Sequence, residues 1–176
     1  MAFGQAGTES APSVRAGRFV LTLQTAALMA DPRQLIQERD GRALRCAYAD
    51  YFESIGNGSI VLDHFFAQQE LQGGPYLYHR FQKGREGNQY EPYLVTQAGS
   101  VFVFSVGDRA KAEQLVGEWF RYGLPVPQWA IDRFTRGETQ GDHWSNHPFH
   151  PDNGFGQIVV NHSVHFDKHA FGGPYA

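Results

Sequence analysis

Residues 99–106, GSVFVFSV, and residues 108–122, DRAKAEQLVGEWFRY, decide the fold class of this chain. The first stretch is rich in β-branched and aromatic residues, which predicts a strand. In the second, apolar residues from Leu115 to Phe120 recur at three- and four-residue spacing and form one face of a helix. Gly123, with two prolines close behind it, is typical of a helix end. A strand followed at once by an amphipathic helix indicates a mixed fold of strands and helices.

Strand and helix signals on both sides of this pair give the order of elements. Residues 18–23 (RFVLTL), 59–65 (SIVLDHF) and 157–166 (QIVVNHSVHF) have the alternation of strands. The Asp-Pro pair at residues 31–32 places a carboxylate at the N-cap and a proline at the first position of a helix. The order predicts an α+β fold: a ferredoxin-like (RRM-like) βαββαβ unit, with an extra hairpin arm and a late glycine-rich loop.

The chain has 176 residues, close to the usual size of one domain, and its composition shows no break between two domains. Residues 1–17 are small, polar and punctuated by glycine and proline, so we expect a flexible N-terminal arm before a single domain over residues 18–176. We expect a cytoplasmic protein without a membrane partner, because the sequence has no signal-peptide pattern and no apolar run of about 20 residues. The single cysteine, Cys46, excludes an internal disulfide and a thiolate zinc knuckle, and its helical pattern predicts a buried structural role.

The charge balance limits the kind of nucleic-acid binder that the chain could be. Fifteen Lys and Arg against eighteen Asp and Glu give a net charge of −3. An autonomous nucleic-acid binder is usually basic, because phosphate neutralisation supplies most of its affinity. A subunit of an assembly shares this electrostatic work with its neighbours. The charge therefore favours a component over an independent binder.

Two segments have residue types that suit RNA. Residues 73–85, GGPYLYHRFQKGR, combine aromatic side chains for base stacking with cations for phosphates, and their alternation predicts a strand of the hairpin arm. The alternative is an amphipathic hairpin with solvated tips. Residues 152–156, DNGFG, form a turn whose N–H groups could contact an anion, although a simple turn is the alternative. The candidate RNA-binding residues are Tyr76, Tyr78, Arg80, Lys83, Arg85, Gly154, Phe155 and Gly156.

Histidines are concentrated late in the chain and raise the alternative of a metal-dependent nuclease or hydrolase. His143 and His147 are four residues apart, a spacing that suits a helical metal site, but the prolines around them disfavour a helix. His162 and His165 lie three residues apart on the predicted last strand, so we expect their side chains on opposite faces. We predict no metal ligands, no cofactor and no catalytic residues. The six clustered histidines are His143, His147, His150, His162, His165 and His169.

Three phrases in a fixed order resemble a known family. They are QQELQGGPYLYHRF (residues 68–81), YLVTQAGSVFVF (93–104) and DNGFGQIVV (152–160). The chain resembles the RAMP superfamily of CRISPR effector subunits, especially the type III members. The resemblance implies a ferredoxin-like fold, a grip on CRISPR RNA and packing against neighbouring subunits. It places Gly73 and Gly74 at the family's arm, and the late glycine-rich loop near the RNA backbone.

Some members of this family cut RNA with an aspartate after the first strand. Asp31 occupies a comparable place, but a proline follows it at once and a helix begins there. We therefore expect a helix cap at Asp31 and no cleavage. The prediction is an RNA-binding, non-catalytic structural subunit of a CRISPR ribonucleoprotein complex in antiviral defense. Its expected partners are CRISPR RNA and other effector subunits, with target RNA as a further candidate. A protein-only adaptor subunit is the remaining alternative.

Overall fold

The computed structural model describes residues 14, 17–37, 41–83, 90–134 and 148–166. Within them the protein is an α+β fold with antiparallel sheets, as the order of elements predicts. The six strands are β1 (Arg18–Leu23), β2 (Ile60–Phe66), β3 (Gln69–Gln72), β4 (Tyr93–Thr96), β5 (Val101–Val106) and β6 (Ile158–Val160). The helices are α1 (Pro32–Gln37), α2 (Gly41–Gly56), α3 (Pro75–Leu77), α4 (Arg109–Tyr122) and α5 (Gln128–Phe134).

Four strands form the main sheet in the order β2-β5-β1-β6, and β3 with β4 forms a separate hairpin. All neighbouring strands of the main sheet are antiparallel. A bulge at Asp63 shifts the register of β2 against β5 after Leu62. The Asp63 carboxylate accepts a hydrogen bond from the Ser105 hydroxyl across this bulge. The hairpin joins the rest of the fold through a bridge between Ala27 and Thr96.

The helices α2 and α4 pack on one face of the main sheet. The Phe52 ring of α2 lies 5.0 Å from Phe102 and 4.7 Å from Phe104 of β5. Trp119 of α4 joins the same cluster, with its ring 6.4 Å from Phe52. Burying one such aromatic side chain contributes about 2 kcal/mol to stability. These contacts make the strand and helix of residues 99–122 the centre of the core.

The predicted boundaries of α4 are confirmed. The Asp108 carboxylate accepts a hydrogen bond from the Lys111 N–H, which caps the helix. This backbone hydrogen bond is the main reason why the pKa of Asp108 lies below its ordinary value. At the other end, Gly123 has φ of 81°, a conformation that favours glycine.

A second apolar cluster lies between the hairpin and α5. Tyr93 of β4 contacts Phe134 and Phe149, with ring centroids 5.1 and 5.2 Å apart. Tyr48 of α2 links the hairpin to the main core, because its hydroxyl bonds Thr96 and the Gln69 amide at 3.0 and 2.8 Å. Burial raises the pKa of Tyr48. The hairpin is therefore fixed to the domain from both sides.

Two predicted strands are wrong in whole or in part. Residues 75–82 form α3 and a π-helical turn, because Pro75 begins a helix and the Tyr78 N–H bonds the Gly74 carbonyl at 3.0 Å. Tyr76, Tyr78 and Arg80 therefore do not share a strand face. The last strand ends at Val160, since Asn161 has φ of 53° and turns the chain into a short 3-10 helix.

Residues 1–13, 15 and 16 of the expected flexible arm lie outside the described residues, so its flexibility stays a prediction. Of its two described residues, Val14 is buried in the main core and Gly17 accepts a hydrogen bond from the Val106 N–H. The predicted burial of Cys46 is wrong. Cys46 is exposed, because the buried face of α2 is formed by Ala43, Ala47 and Tyr48. Among the described residues, no helix has both the length and the apolar character that crossing a bilayer requires.

Candidate nucleic-acid interface

Residues 73–83, which follow β3, are called the arm from here on. Two glycines at the start of the arm lie against Tyr90. A Cβ at Gly73 would overlap the Tyr90 hydroxyl, so any larger residue there would displace the half-exposed Tyr90 side chain. Gly74 has φ of 115°, a region that favours glycine, and its N–H donates to the Tyr90 hydroxyl oxygen at 2.8 Å. This hydrogen bond connects the start of α3 to Tyr90. This gives a local physical reason for the paired glycines of the arm.

Next to these glycines lies an open pocket of about 410 Å³, which we call the arm pocket. Its described lining consists of Gly74, Pro75, Tyr78, His79 and Tyr90. The Tyr78 ring centroid lies 5.4 Å from that of His79 and 6.3 Å from that of Tyr90, both in edge-on orientation. Aromatic walls of this kind present π faces on which an unpaired base can stack.

Arg80 and Lys83 belong to a turn whose position is held by hydrogen bonds from Gln82 to Glu91. Gln82 is buried, and its side-chain amide both donates to the Glu91 carbonyl and accepts from the Glu91 N–H. The Lys83 N–H closes the π-helical turn on the Tyr78 carbonyl at 2.7 Å. Arg80 is exposed, with its guanidinium 5.4 Å from the Phe81 ring centroid. The turn therefore holds two exposed cationic side chains, Arg80 and Lys83, beside the aromatic residues.

The predicted RNA-binding residues are only partly brought together. Tyr78 lines the arm pocket, Arg80 and Lys83 follow it in the same turn, and Tyr76 is exposed on α3. Arg85 lies outside the described residues. Sequence reasoning did not select His79 or Tyr90 as site residues. The sequence contains no signal for Tyr90, because its place beside Gly74 depends on how the chain returns to the hairpin.

The glycine-rich loop is occupied by interactions within the protein. The N–H groups of Gly154, Phe155 and Gly156 all donate to carbonyl oxygens of the same chain. The Phe155 ring packs at 5.0 Å on Phe149 in the second cluster. Gly156 is buried, and a Cβ there would lie 3.3 Å from the Leu124 carbonyl oxygen. The RNA contact of this loop stays a prediction, and the observed bonds assign the loop a structural role.

Three of the clustered histidines are described, and each has a partner in the fold. His150 Nδ1 accepts from the Asp152 N–H at 3.3 Å, and His162 Nδ1 accepts from the Val164 N–H at 3.2 Å. His165 Nε2 and the Thr22 hydroxyl are 2.8 Å apart. The remaining members of the cluster, His143, His147 and His169, lie outside the described residues.

The end of the chain's last strand brings two histidines together. Because the strand stops at Val160, the rings of His162 and His165 lie 6.3 Å apart, and the prediction that they face opposite ways is wrong. Partial burial is the larger cause that lowers the pKa of His165, and the charge of the nearby His162 is the smaller one. In the described part of the chain, no group of three or more His, Cys, Asp or Glu side chains is arranged to hold a metal ion.

Asp31 caps α1, as predicted. Its carboxylate accepts from the Arg33 N–H at 2.9 Å. The guanidinium of Arg133 contacts both carboxylate oxygens, at 2.9 and 2.7 Å. The two side chains are only 10% and 15% exposed. The carboxylate of Asp31 is therefore enclosed in a structural ion pair.

The face of the main sheet opposite the helices differs from an aromatic stacking platform. On the central strands β1 and β5, the residues of this face include Val20, Thr22, Val101 and Val103. The aromatic residues of these strands, among them Phe102, are buried on the helix side. The edge strand β2 carries the exposed Phe66.

Comparisons with known proteins leave the arm geometry as the basis for function. No protein-family model, no curated protein and no solved structure matches the chain. Among the described residues, the arm pocket and the cations that follow it are the site best suited to a nucleic acid.

Proposed function

We propose that this chain is an RNA-binding, non-catalytic structural subunit of a CRISPR ribonucleoprotein effector complex. It holds CRISPR RNA in the cytoplasm and packs against other effector subunits, with target RNA as a further partner. One observation carries the proposal: an aromatic pocket formed by Tyr78, His79 and Tyr90 continues directly into a turn with Arg80 and Lys83. Stacking surfaces next to cations are the combination that single-stranded RNA requires.

The strand order supports a ferredoxin-like fold as part of this proposal. When β1, β2, β5 and β6 are numbered one to four along the chain, their order in the sheet is two-three-one-four. The elements of this unit follow one another as βαββαβ, and both long helices cover one face of the sheet. The β3–β4 hairpin and the arm are then an insertion between the second and third strands of the unit.

The charges support a component that shares its RNA with neighbours. The net charge of −3 is unfavourable for autonomous binding to a polyanion. The arm concentrates its cations locally, where they can complete a basic channel supplied by other subunits. The enclosed Asp31 supports a role without cleavage, because its carboxylate is engaged by Arg133.

A charge-reversal experiment tests the proposed RNA surface. In the double variant Arg80→Glu/Lys83→Glu, affinity for a fluorescent single-stranded RNA should fall by about tenfold or more, because two phosphate contacts become repulsive. Fluorescence anisotropy at fixed salt measures this affinity. RNA retained by the chain purified with its partner subunits gives a second reading.

The matched control is Arg109→Glu/Lys111→Glu on α4. Both of its side chains are 69% exposed, and it changes the net charge by the same amount. We expect the control to retain RNA binding within about twofold. Equal losses of RNA affinity in both variants would mean that net charge alone explains the effect. Unchanged RNA affinity in the arm variant would refute the proposed surface. Co-purification with protein partners but without RNA would indicate the protein-only adaptor.

A further inference from the structure

A second cavity lies between the β3–β4 hairpin, α1 and α5. It has a volume of about 410 Å³ and shares no described lining residue with the arm pocket. Its walls are mainly apolar and include Leu28, Leu94, Trp129 and Phe134. The volume falls within the range of about 300–1,000 Å³ that is usual for small-molecule sites. We call it the hairpin cavity.

The walls of the hairpin cavity are held in place by the core around them. Trp129 donates its indole N–H to the Met29 carbonyl at 3.3 Å. Phe134 packs on Tyr93, and its ring lies 6.3 Å from that of Trp129. A cavity whose walls are fixed in this way exists before a ligand arrives, so little ordering of the protein opposes binding.

The charged groups at the cavity are already neutralised in pairs. Arg33 forms an ion pair with Glu91, and this hydrogen bond raises the pKa of Arg33. Arg133 is held by Asp31 and lies 4.9 Å from the Trp129 ring centroid. A charged ligand at the apolar walls would have to separate the enclosed Arg133–Asp31 pair or bury its own charge, because the Arg33–Glu91 pair lies at the solvent-exposed side. The charge pattern therefore selects a neutral ligand.

We propose that the hairpin cavity binds one neutral, largely apolar small molecule that contains a planar ring. Trp129 and Phe134 supply aromatic faces for the ring, and Leu71 lies exposed at the edge of the cavity. A small molecule is favoured over a peptide, because a peptide backbone would bring amide groups to walls that offer them few hydrogen-bond partners. No described residue lines both this site and the arm pocket.

Titration with N-phenyl-1-naphthylamine, a neutral probe that fluoresces in apolar surroundings, tests the site. We expect saturable binding of one probe per chain. Leu71→Asp should weaken it by about tenfold, because a hydrated carboxylate replaces an apolar side chain that contacts the probe at the edge of the cavity. The control is Val61→Asp on β2. Val61 is 63% exposed, against 64% for Leu71, and it does not line the cavity, so binding should stay within about twofold.

A second measurement identifies the site without a change at its edge. Energy transfer from tryptophan to the bound probe should fall in Trp129→Phe, which keeps an aromatic wall and leaves Trp119 and Trp144 in the chain. Circular dichroism of every variant confirms that it is folded. Absence of saturable binding, or equal binding by Leu71→Asp and the unmodified chain, would overturn the proposal. The first of these results would leave the cavity to an apolar side chain of a partner protein.

Discussion

His165 lies in the short 3-10 helix after β6 and contacts the neighbouring strand β1. Its ring lies over β1, where Nε2 bonds the Thr22 hydroxyl, and His162 is its neighbour in the same short turn. Partial burial and the proximity of His162 both act against the charged imidazolium, so the pKa of His165 lies below its ordinary value. The neutral ring is therefore the form that suits the fold.

The lowered pKa predicts how stability depends on pH. In the unfolded chain a histidine has a pKa of about 6.5. As the pH falls, the unfolded state therefore binds the proton at a higher pH than the folded state does. The contribution of His165 is fully present above that pH and is lost as the pH falls from there to the folded-state pKa. Urea unfolding between about pH 5 and 7.5 should show this loss, and His165→Gln should reduce it.

The control for this prediction is His64→Gln, at an exposed histidine of β2. The slope of the free energy of unfolding against pH is measured in both variants and in the unmodified chain. If His165→Gln changes that slope no more than His64→Gln does, the neutral ring of His165 contributes nothing to the stability of the fold.

At the scale of elements, the pair Asp31–Arg133 joins the start of α1 to α5. Asp31→Asn keeps a good capping residue but leaves the guanidinium of Arg133 enclosed without its counter-charge. We expect the free energy of unfolding to fall by about 3 kcal/mol, the cost of breaking a buried pair from one side. Urea unfolding at pH 7 measures it.

Two companion variants separate the ion pair from the cap. Asp108→Asn makes the same change at the exposed cap of α4 and should cost only about 0.5 kcal/mol. The double variant Asp31→Asn/Arg133→Met removes both charges and should regain about half or more of the loss. Equal costs at positions 31 and 108 would mean that Asp31 acts as a cap alone.

The elements themselves show what local sequence can and cannot determine. The strand at Val101–Val106 and the helix at Arg109–Tyr122 follow from alternation, apolar spacing and a capping aspartate, all of which act over a few residues. The predicted strand over residues 75–82 is wrong because the alternation of side chains outweighed the helix-start signal of Pro75, and the contact of Tyr90 with Gly74 is not visible in the sequence. The early end of the last strand depends on the positive φ of Asn161, which the alternation of apolar residues does not reveal.

The aromatic and cationic composition of the arm made it a candidate RNA-binding segment. Composition does not, however, distinguish residues that face a ligand from residues that complete the fold. The glycines of a tight structural turn and those of an anion-binding loop look alike in sequence, and here the N–H groups of Gly154 and Gly156 are used internally. Conversely, the arm pocket needs Tyr90 and His79, which are brought together only by the return of the chain to the hairpin. Composition therefore selects residues 73–85 as a candidate region, and the arrangement of Tyr78, His79 and Tyr90 depends on the fold.

The described residues form two surfaces that we compare as candidates for RNA stacking, and their side chains distinguish them. On the sheet face opposite the helices, the central strands carry half-buried valine and threonine where a stacking platform needs aromatic rings, and the exposed ring of Phe66 lies on the edge strand. The arm pocket offers Tyr78, His79 and Tyr90. If RNA binds as proposed, it should contact the arm.

Removing aromatic rings from each surface tests this assignment. Tyr78→Ala/Tyr90→Ala should weaken single-stranded RNA binding by about tenfold or more, since each stacked base contributes about 1–3 kcal/mol. Phe66→Ala, at an exposed ring outside the arm pocket, should leave the affinity within about twofold. Both measurements use anisotropy at the same salt concentration, so that phosphate contacts contribute equally. A loss in Phe66→Ala with the tyrosine variant unchanged would move the RNA to the sheet and leave the arm for protein contacts.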